Sequence, residues 1–392
     1  MHRIVLFIIL LMLVPDTYIY FVHIAPATRQ AWLRALWWLP STVIILLFVG
    51  FLLRHGLAGA ATHMQTFSRL GGAIVLFLAP KLLFVLPSLV GVIVHGVIRP
   101  VPQWPFTVLA TLVALVTFAG MAYGLAYGTK RFEVKEVEYR SARLPQGFDG
   151  YRIVQISDLH IGGWAGNTRV TRRFVDLVNR QGADLIAFTG DLVNQVSTEL
   201  DEHQAILAGL SAPDGVYSIL GNHDYGTYYP WPTRQAERDN LRRLIDAQAQ
   251  MGWQLLNNDH TLIHHRGDSI ALLGVENDGE PPFPQMADLE RAMQGTEGLF
   301  RILLSHNPTH WRREVLPQSD IDLTLSGHTH AMQVCLFGWS PASLKYPEWG
   351  GMYHEGQRVL YVNVGIGGAG LPFRIGAWPE ITVITLRREA TD

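Results

Sequence analysis

Four long apolar stretches fill the first third of the chain, at about residues 4–24, 36–53, 70–98 and 101–128. A helix needs about 20 apolar residues to cross the hydrocarbon core of a bilayer. The second and fourth stretches carry no charge, and the third holds only Lys81 and His95. The first is interrupted by Pro15 and Asp16. The pattern predicts a transmembrane region over 1–128 with about four helices. The first stretch also fits a secretory signal: His2 and Arg3, an apolar run to Val14, then Ala25-Pro26-Ala27 as a cleavage site. Lys81, at membrane depth, marks either a functional pocket or an ion partner inside the bundle.

After Lys130 the periodicity changes. Residues 132–139 alternate charged and apolar, as a half-exposed strand does. Short apolar runs predict further strands at 152–157, 184–189, 216–220, 269–275, 301–305, 322–325, 359–364 and 381–386. Helical spacing predicts helices at 168–181, 199–210 and 233–251. Strands alternating with helices imply an α/β layered fold over 129–392.

Charge sharpens this division. Of 31 Lys and Arg residues only seven precede position 129, and of 33 acidic residues only Asp16 does. The remaining 264 residues hold 24 basic and 32 acidic side chains, a net of −8. Nucleic acid is therefore not an expected partner, because its phosphates bind to basic surface. With four spans, Arg3, Arg54, Arg69, Lys130, Arg131 and Lys135 fall on one side and Arg29, Arg34 and Arg99 on the other. Basic residues collect inside, which predicts a multi-pass protein of the cell inner membrane with its second domain in the cytoplasm. A cleaved signal leaves that domain on the same side. Cys335 is the only cysteine, so no intrachain disulfide forms.

Chemistry concentrates at the strand ends. Asp158 and His160 follow the first short apolar run, then come Asp191, Asn222-His223-Asp224, His306, and His328 with His330. Ligands gather beyond the carboxyl ends of strands in α/β sheets, so residues scattered over 173 positions converge. A lone Asp or Asn after a strand is usually a turn or cap; nine such residues, all at strand ends, are not explained that way. The N/O donors without thiolate suit Mn, Fe, Zn or Co. They exceed the needs of one ion and point to two, with Asp191, alone at its strand end, as the bridge. His264, His265, His310 and His354 lie outside this set and read as surface or structural. The run Gly365-x-Gly367-x-x-Gly370 matches a dinucleotide-binding pattern, but Pro372 follows and no helix opens there.

Asp158-Leu-His160, Gly190-Asp191, Gly221-Asn222-His223-Asp224, Ser305-His306 and Gly327-His328-Thr329-His330 resemble, in order, the five motif blocks of calcineurin-like metallophosphoesterases. The resemblance covers about residues 133–388. With the apolar third and the segment Gly370-Leu-Pro-Phe-Arg-Ile-Gly, the chain is similar to the branch of transmembrane proteins with a metallophosphoesterase domain. The last block often continues with two glycines, where this chain has Ala331-Met332. The resemblance implies a layered β-sandwich flanked by helices. It implies one metal on Asp158, His160, Asp191 and His330, and a second on Asp191, Asn222, His306 and His328. It also implies a bridging hydroxide that attacks phosphorus in line, His223 as the group that protonates the leaving oxygen, and Asp224 as the residue that orients the His223 ring.

The expected function is hydrolysis of a phosphoester: a phosphodiester, a phosphomonoester or a pyrophosphate-linked lipid. The alternative is a non-catalytic membrane sensor or transport module whose domain binds without turnover. No protein partner is indicated. Aromatic residues after two blocks, Tyr225, Tyr228, Tyr229 and Trp231, then Trp339, Tyr346, Trp349 and Tyr353, suggest a site mouth suited to an amphiphilic substrate.

Overall fold

The computed structural model describes residues 2–56, 59–98 and 101–389. Arg99, counted above on the outer side, lies outside them. The chain divides into two compact units, Met1–Tyr127 with Gly370–Phe373, and Gly128–Ala369 with Arg374–Asp392.

The first unit is helical. Helix α1 (His2–Ile19) continues through a π-helical turn (Tyr20–Ile24); α2 (Ala31–His55), α3 (Met64–Val97) and α4 (Trp104–Ala126) follow. Among the described residues four helical segments are long and apolar enough to cross a membrane: Leu6–Ala27, Ala31–His55, Met64–Val97 and Trp104–Lys130. Asp16, which interrupts the first stretch, is fully buried and pairs with Lys81 of the third at 2.5 Å. Lys81 also donates to Ser41 Oγ at 2.7 Å. A charge without a partner is costly in hydrocarbon, so the two charged residues account for each other. Lys81 also borders a cavity of about 400 Å³ walled by Trp37, Phe84 and Phe118.

The second unit holds two six-stranded sheets. Its strands are β1 (Glu133–Ser141), β2 (Arg152–Ile156), β3 (Leu185–Phe188), β4 (Val216–Ser218), β5 (Trp253–Leu255), β6 (Asp259–His265), β7 (Asp268–Gly274), β8 (Arg301–Leu304), β9 (Leu323–Ser326), β10 (Gly351–Glu355), β11 (Arg358–Val362) and β12 (Glu380–Arg388). The sheet orders are β1-β12-β2-β3-β4-β5 and β10-β11-β9-β8-β7-β6. Strands β2 to β5 pair in parallel, as do β7, β8, β9 and β11. Each sheet therefore sends several loops out at one end.

Between the sheets lies an apolar layer that includes Ile153, Leu185, Ile219, Leu272, Ile302, Leu325 and Tyr361. Helix α5 (Thr168–Asn179) covers the outer face of the first sheet through Phe174, Val175 and Val178. Helix α6 (Arg234–Gln250) adds Leu244 and Ala247, and is capped by Thr233 Oγ1, which accepts from the Ala236 N–H at 3.1 Å. The helix expected over 199–210 is instead two short turns, Ser197–Leu200 and Gln204–Leu207. Its first carboxylate, Glu199, accepts from the backbone N–H groups of Asn194 (2.7 Å) and Gln195 (3.0 Å), which fixes a loop rather than a helix start.

Candidate metal centre

The nine residues singled out in the sequence sit on five loops, each beyond the carboxyl end of a strand. Asp158 and His160 follow β2, Asp191 follows β3, Asn222, His223 and Asp224 follow β4, His306 follows β8, and His328 and His330 follow β9. His223 and His328 are half-buried and the other seven are buried. Asp158, His160, Asp191, His328 and His330 have φ between 42° and 72°. Left-handed backbone in residues other than glycine is strained, and such strain clusters at functional sites. The turns are tight: a Cβ on Gly221 would lie 2.2 Å from Asp191 Oδ1, and one on Gly327 2.3 Å from Asp158 Oδ2. Ala331 and Met332, standing where two glycines are common, keep the glycine-type backbone with φ of 50° and 45°.

The side chains converge. His330 Nε2 lies 3.3 Å from Asp158 Oδ1 and 3.1 Å from His160 Nε2. Asp191 Oδ2 lies 3.6 Å from His160 Nε2 and 3.2 Å from His306 Nε2, so one oxygen faces both halves of the cluster. His328 Nδ1 is 3.3 Å from His306 Nε2. Atoms bound to a common ion at about 2.1 Å lie about 3.0–3.4 Å apart; four of these five separations fall in that range, and the 3.6 Å from Asp191 to His160 lies just beyond it. Among the described residues Asn222 Oδ1 is buried without a hydrogen-bond partner, as an oxygen reserved for a cation is. The residues present therefore fit divalent ions.

Most of the outward atoms are anchored. His306 Nδ1 is 2.7 Å from the Thr189 carbonyl, His328 Nε2 is 3.2 Å from Tyr346 Oη, and Asn222 Nδ2 donates to Tyr228 Oη at 3.0 Å. Such outer partners fix ring orientation at metal sites. Arg374, fully buried, lies with a guanidinium nitrogen 3.0 Å from His330 Nδ1 and donates also to the carbonyls of Val364, Gly367 and Ala377. His160 is the exception, with no partner at Nδ1 among the described residues.

Burial alone would raise the Asp158 and Asp191 carboxyls, but the imidazoles of His330 and His306 outweigh it and hold both below the usual range. Burial with His306 pushes His328 down to about 3, and burial with His223 pushes His160 down. Ionised carboxylates and neutral imidazoles are the forms that bind a cation. His306 stands apart: Asp191 outweighs burial and raises it to about 9, so a cation there displaces a proton.

One expected role is corrected. Asp224 does not orient His223; the His223 Nδ1 is 2.6 Å from the Asn194 carbonyl. The Asp224 carboxylate accepts instead from the backbone N–H groups of Asp191 (2.9 Å), Leu192 (2.8 Å), Val193 (3.1 Å) and Gly221 (3.0 Å). A buried carboxylate needs donors, and these loops present them. Sequence reasoning missed Asn194 and Phe283, whose ring centroid is 4.6 Å from that of His328. Arg374, not assigned to the site either, had a signal in the Leu-Pro-Phe-Arg-Ile-Gly run. Of the aromatic residues expected at the mouth, Tyr228 and Tyr346 touch the site. Trp231 donates to the Gly226 carbonyl at 2.7 Å, and Trp349 packs with Ala331, Val364 and Ala377.

A second group, Asp278, His310 and Glu314, also brings ligand atoms together. Arg313 already pairs with Asp278, and His310 Nδ1 is 2.9 Å from Ser305 Oγ. His310 is buried and structural.

Comparison with known proteins gives the family. Residues 151–332 match the calcineurin-like phosphoesterase family, and residues 2–129 match the family described as "Probable Calcineurin-like phosphoesterase, transmembrane domain". A "Transmembrane protein with metallophosphoesterase domain" of Danio rerio is 33% identical over 71% of this chain and 63% of its own length, so the match leaves over a third of that relative uncovered. "Uncharacterized metallophosphoesterase YkuE" of Bacillus subtilis (strain 168) is 33% identical over 70% of this chain and 92% of its own. "UDP-2,3-diacylglucosamine pyrophosphatase LpxG" of Chlamydia trachomatis is 29% identical over 57% of this chain and 81% of its own. The chain belongs to the calcineurin-like phosphoesterase family and joins that domain to a four-helix transmembrane domain.

Proposed function

We propose that the chain is a membrane-anchored phosphoesterase that hydrolyses a phosphoester with two divalent metal ions. The observation that carries this reading is the inward turn of six ligand-type side chains around a seventh, the Asp191 carboxylate. Asp158, His160, Asp191 and His330 are assigned to one ion; Asp191, Asn222, His306 and His328 to the other. Such ions lower the pKa of water to about 7 and neutralise phosphoryl oxygens. His223 donates Nδ1–H to the Asn194 carbonyl, so it acts as the imidazolium: it gives the Nε2 proton to the leaving oxygen and is left neutral. Asp224 holds the loops after β3 and β4 in register and takes no part in proton transfer.

The substrate class we infer is an amphiphilic phosphoester, such as a pyrophosphate-linked lipid, met on the cytoplasmic side. Three observations support it: the four spans, the rings of Phe283, Tyr228 and Tyr346 around the site, and the lipid pyrophosphate in the name of the LpxG relative. The test uses the full chain in nanodiscs with Mn²⁺. An acylated phosphoester should show a higher kcat/KM than its water-soluble head group. Equal turnover of the two would leave the enzyme and remove the lipid preference; no turnover of any phosphoester would support the non-catalytic module instead.

A further inference from the structure

The loop after the site exposes carbon without apparent use. Between His330 and Tyr346, the side chains of Met332, Leu336, Phe337, Trp339 and Leu344 are exposed; Phe337 is entirely so and Leu344 is 82% exposed. Soluble surfaces scatter single apolar residues; here five fall within one stretch of thirteen residues, 332–344.

The loop is built to present them. Leu336 and Trp339 exchange both backbone hydrogen bonds, at 2.9 and 3.0 Å, around the two-residue turn Phe337-Gly338. Both turn residues have positive φ, 54° and 78°. That geometry favours Asn, Asp or Gly at the first position, yet an aromatic ring occupies it and points to solvent. Below the turn, Cys335 N–H donates to the Ile375 carbonyl at 2.8 Å, and Ser340 Oγ donates to the Ala331 carbonyl at 2.6 Å. The tip therefore stands on a fixed base.

We propose that this hairpin dips into the lipid bilayer, with Phe337 and Leu344 among the acyl chains and Trp339 at the head groups. The occupant is lipid because the same chain carries four membrane-spanning segments, and only Arg131 and Phe132 separate the last, ending at Lys130, from β1 at Glu133. A bilayer is thus always within reach of this unit. Trp suits the wet–apolar boundary. The neighbouring Lys345, whose ammonium lies 5.3 Å from the rings of Phe283 and Tyr346, supplies a cation beside lipid phosphates. This inference does not depend on the catalytic reading.

The experiment places a fluorophore at the tip. In a Cys335→Ser background, Phe337→Cys and, separately, Leu344→Cys are labelled in the full chain and reconstituted into phosphatidylcholine vesicles. Glu297→Cys, on an exposed turn, serves as the aqueous control. Lipids with a nitroxide high on the acyl chain should quench both loop labels at least several-fold more than the control label, and aqueous iodide should do the reverse. Iodide quenching equal to the control, without nitroxide quenching, would overturn the proposal. Protection from both quenchers would also overturn it and identify a protein surface, such as a second copy, as the occupant.

Discussion

The buried guanidinium of Arg374 lies 3.0 Å from Nδ1 of His330, a residue 44 positions earlier in the chain. Arginine has no acceptor, so Nδ1 accepts and the neutral ring carries its proton on Nε2, facing Asp158 Oδ1 at 3.3 Å; a cation held at Nε2 takes the place of that proton, and the guanidinium then faces the negative ring that results. Arg374 thereby fixes the one histidine that joins β9 to the first half of the cluster. Loss of an outer partner of a metal ligand typically costs about 10–100-fold in metal affinity. Arg374→Met should weaken one ion by about that factor and leave the other nearly unchanged, read by competition with a chelating indicator. Unchanged affinity at both positions would mean that Arg374 serves only the carbonyls around it.

His223→Ala should keep both ions and lose turnover. General acid help is worth about 10²–10⁴-fold. The loss should be smaller for a substrate with a very good leaving group, which needs no proton. Equal loss on good and poor leaving groups would limit His223 to positioning phosphate.

Asp224→Ala should act on stability first. It strands four buried N–H groups, on Asp191, Leu192, Val193 and Gly221, each costing about 1–3 kcal/mol when unpaired. A loss of about 3 kcal/mol or more is expected, read as a fall in the urea midpoint. Asp224→Asn, with one oxygen left to accept, should lose less. A stable Asp224→Ala variant with normal metal content would contradict the structural role given to this carboxylate.

Lys81→Met should destabilise the helical unit, because it leaves the Asp16 carboxylate buried without a cation. Breaking one side of a buried pair costs roughly 3–5 kcal/mol. The double change Asp16→Asn with Lys81→Met should recover much of that loss. A thermal unfolding series in one detergent separates the four combinations; a double variant no better than Lys81→Met would contradict the pairing.

What the sequence made legible follows from where chemistry and burial leave a mark. Buried strands such as 152–156 and 301–304 are short apolar runs, and the ligand-type residues follow them directly, so both could be read together. Strands β5, β6 and β10 were not anticipated. Asp259–His265 and Gly351–Glu355 mix polar side chains with half-buried ones because they line sheet edges, and such segments lack an apolar run. The partner of His223 was missed for another reason. It is a backbone carbonyl, that of Asn194, and a carbonyl has no letter in the sequence. The resemblance pointed to the adjacent Asp224, but its side chain accepts from backbone N–H groups of the loops after β3 and β4. Phe337 was passed over because an isolated aromatic letter gives no sign of exposure.

Asp191 is the hinge of the account, since its carboxylate faces His160 on one side and His306 on the other. Elemental analysis of the purified full chain, wild type beside Asp191→Asn, tests this most directly. The account predicts two divalent ions per wild-type chain, and loss of tight binding for both in the variant. One ion per wild-type chain, or two firmly held ions in Asp191→Asn, would contradict it.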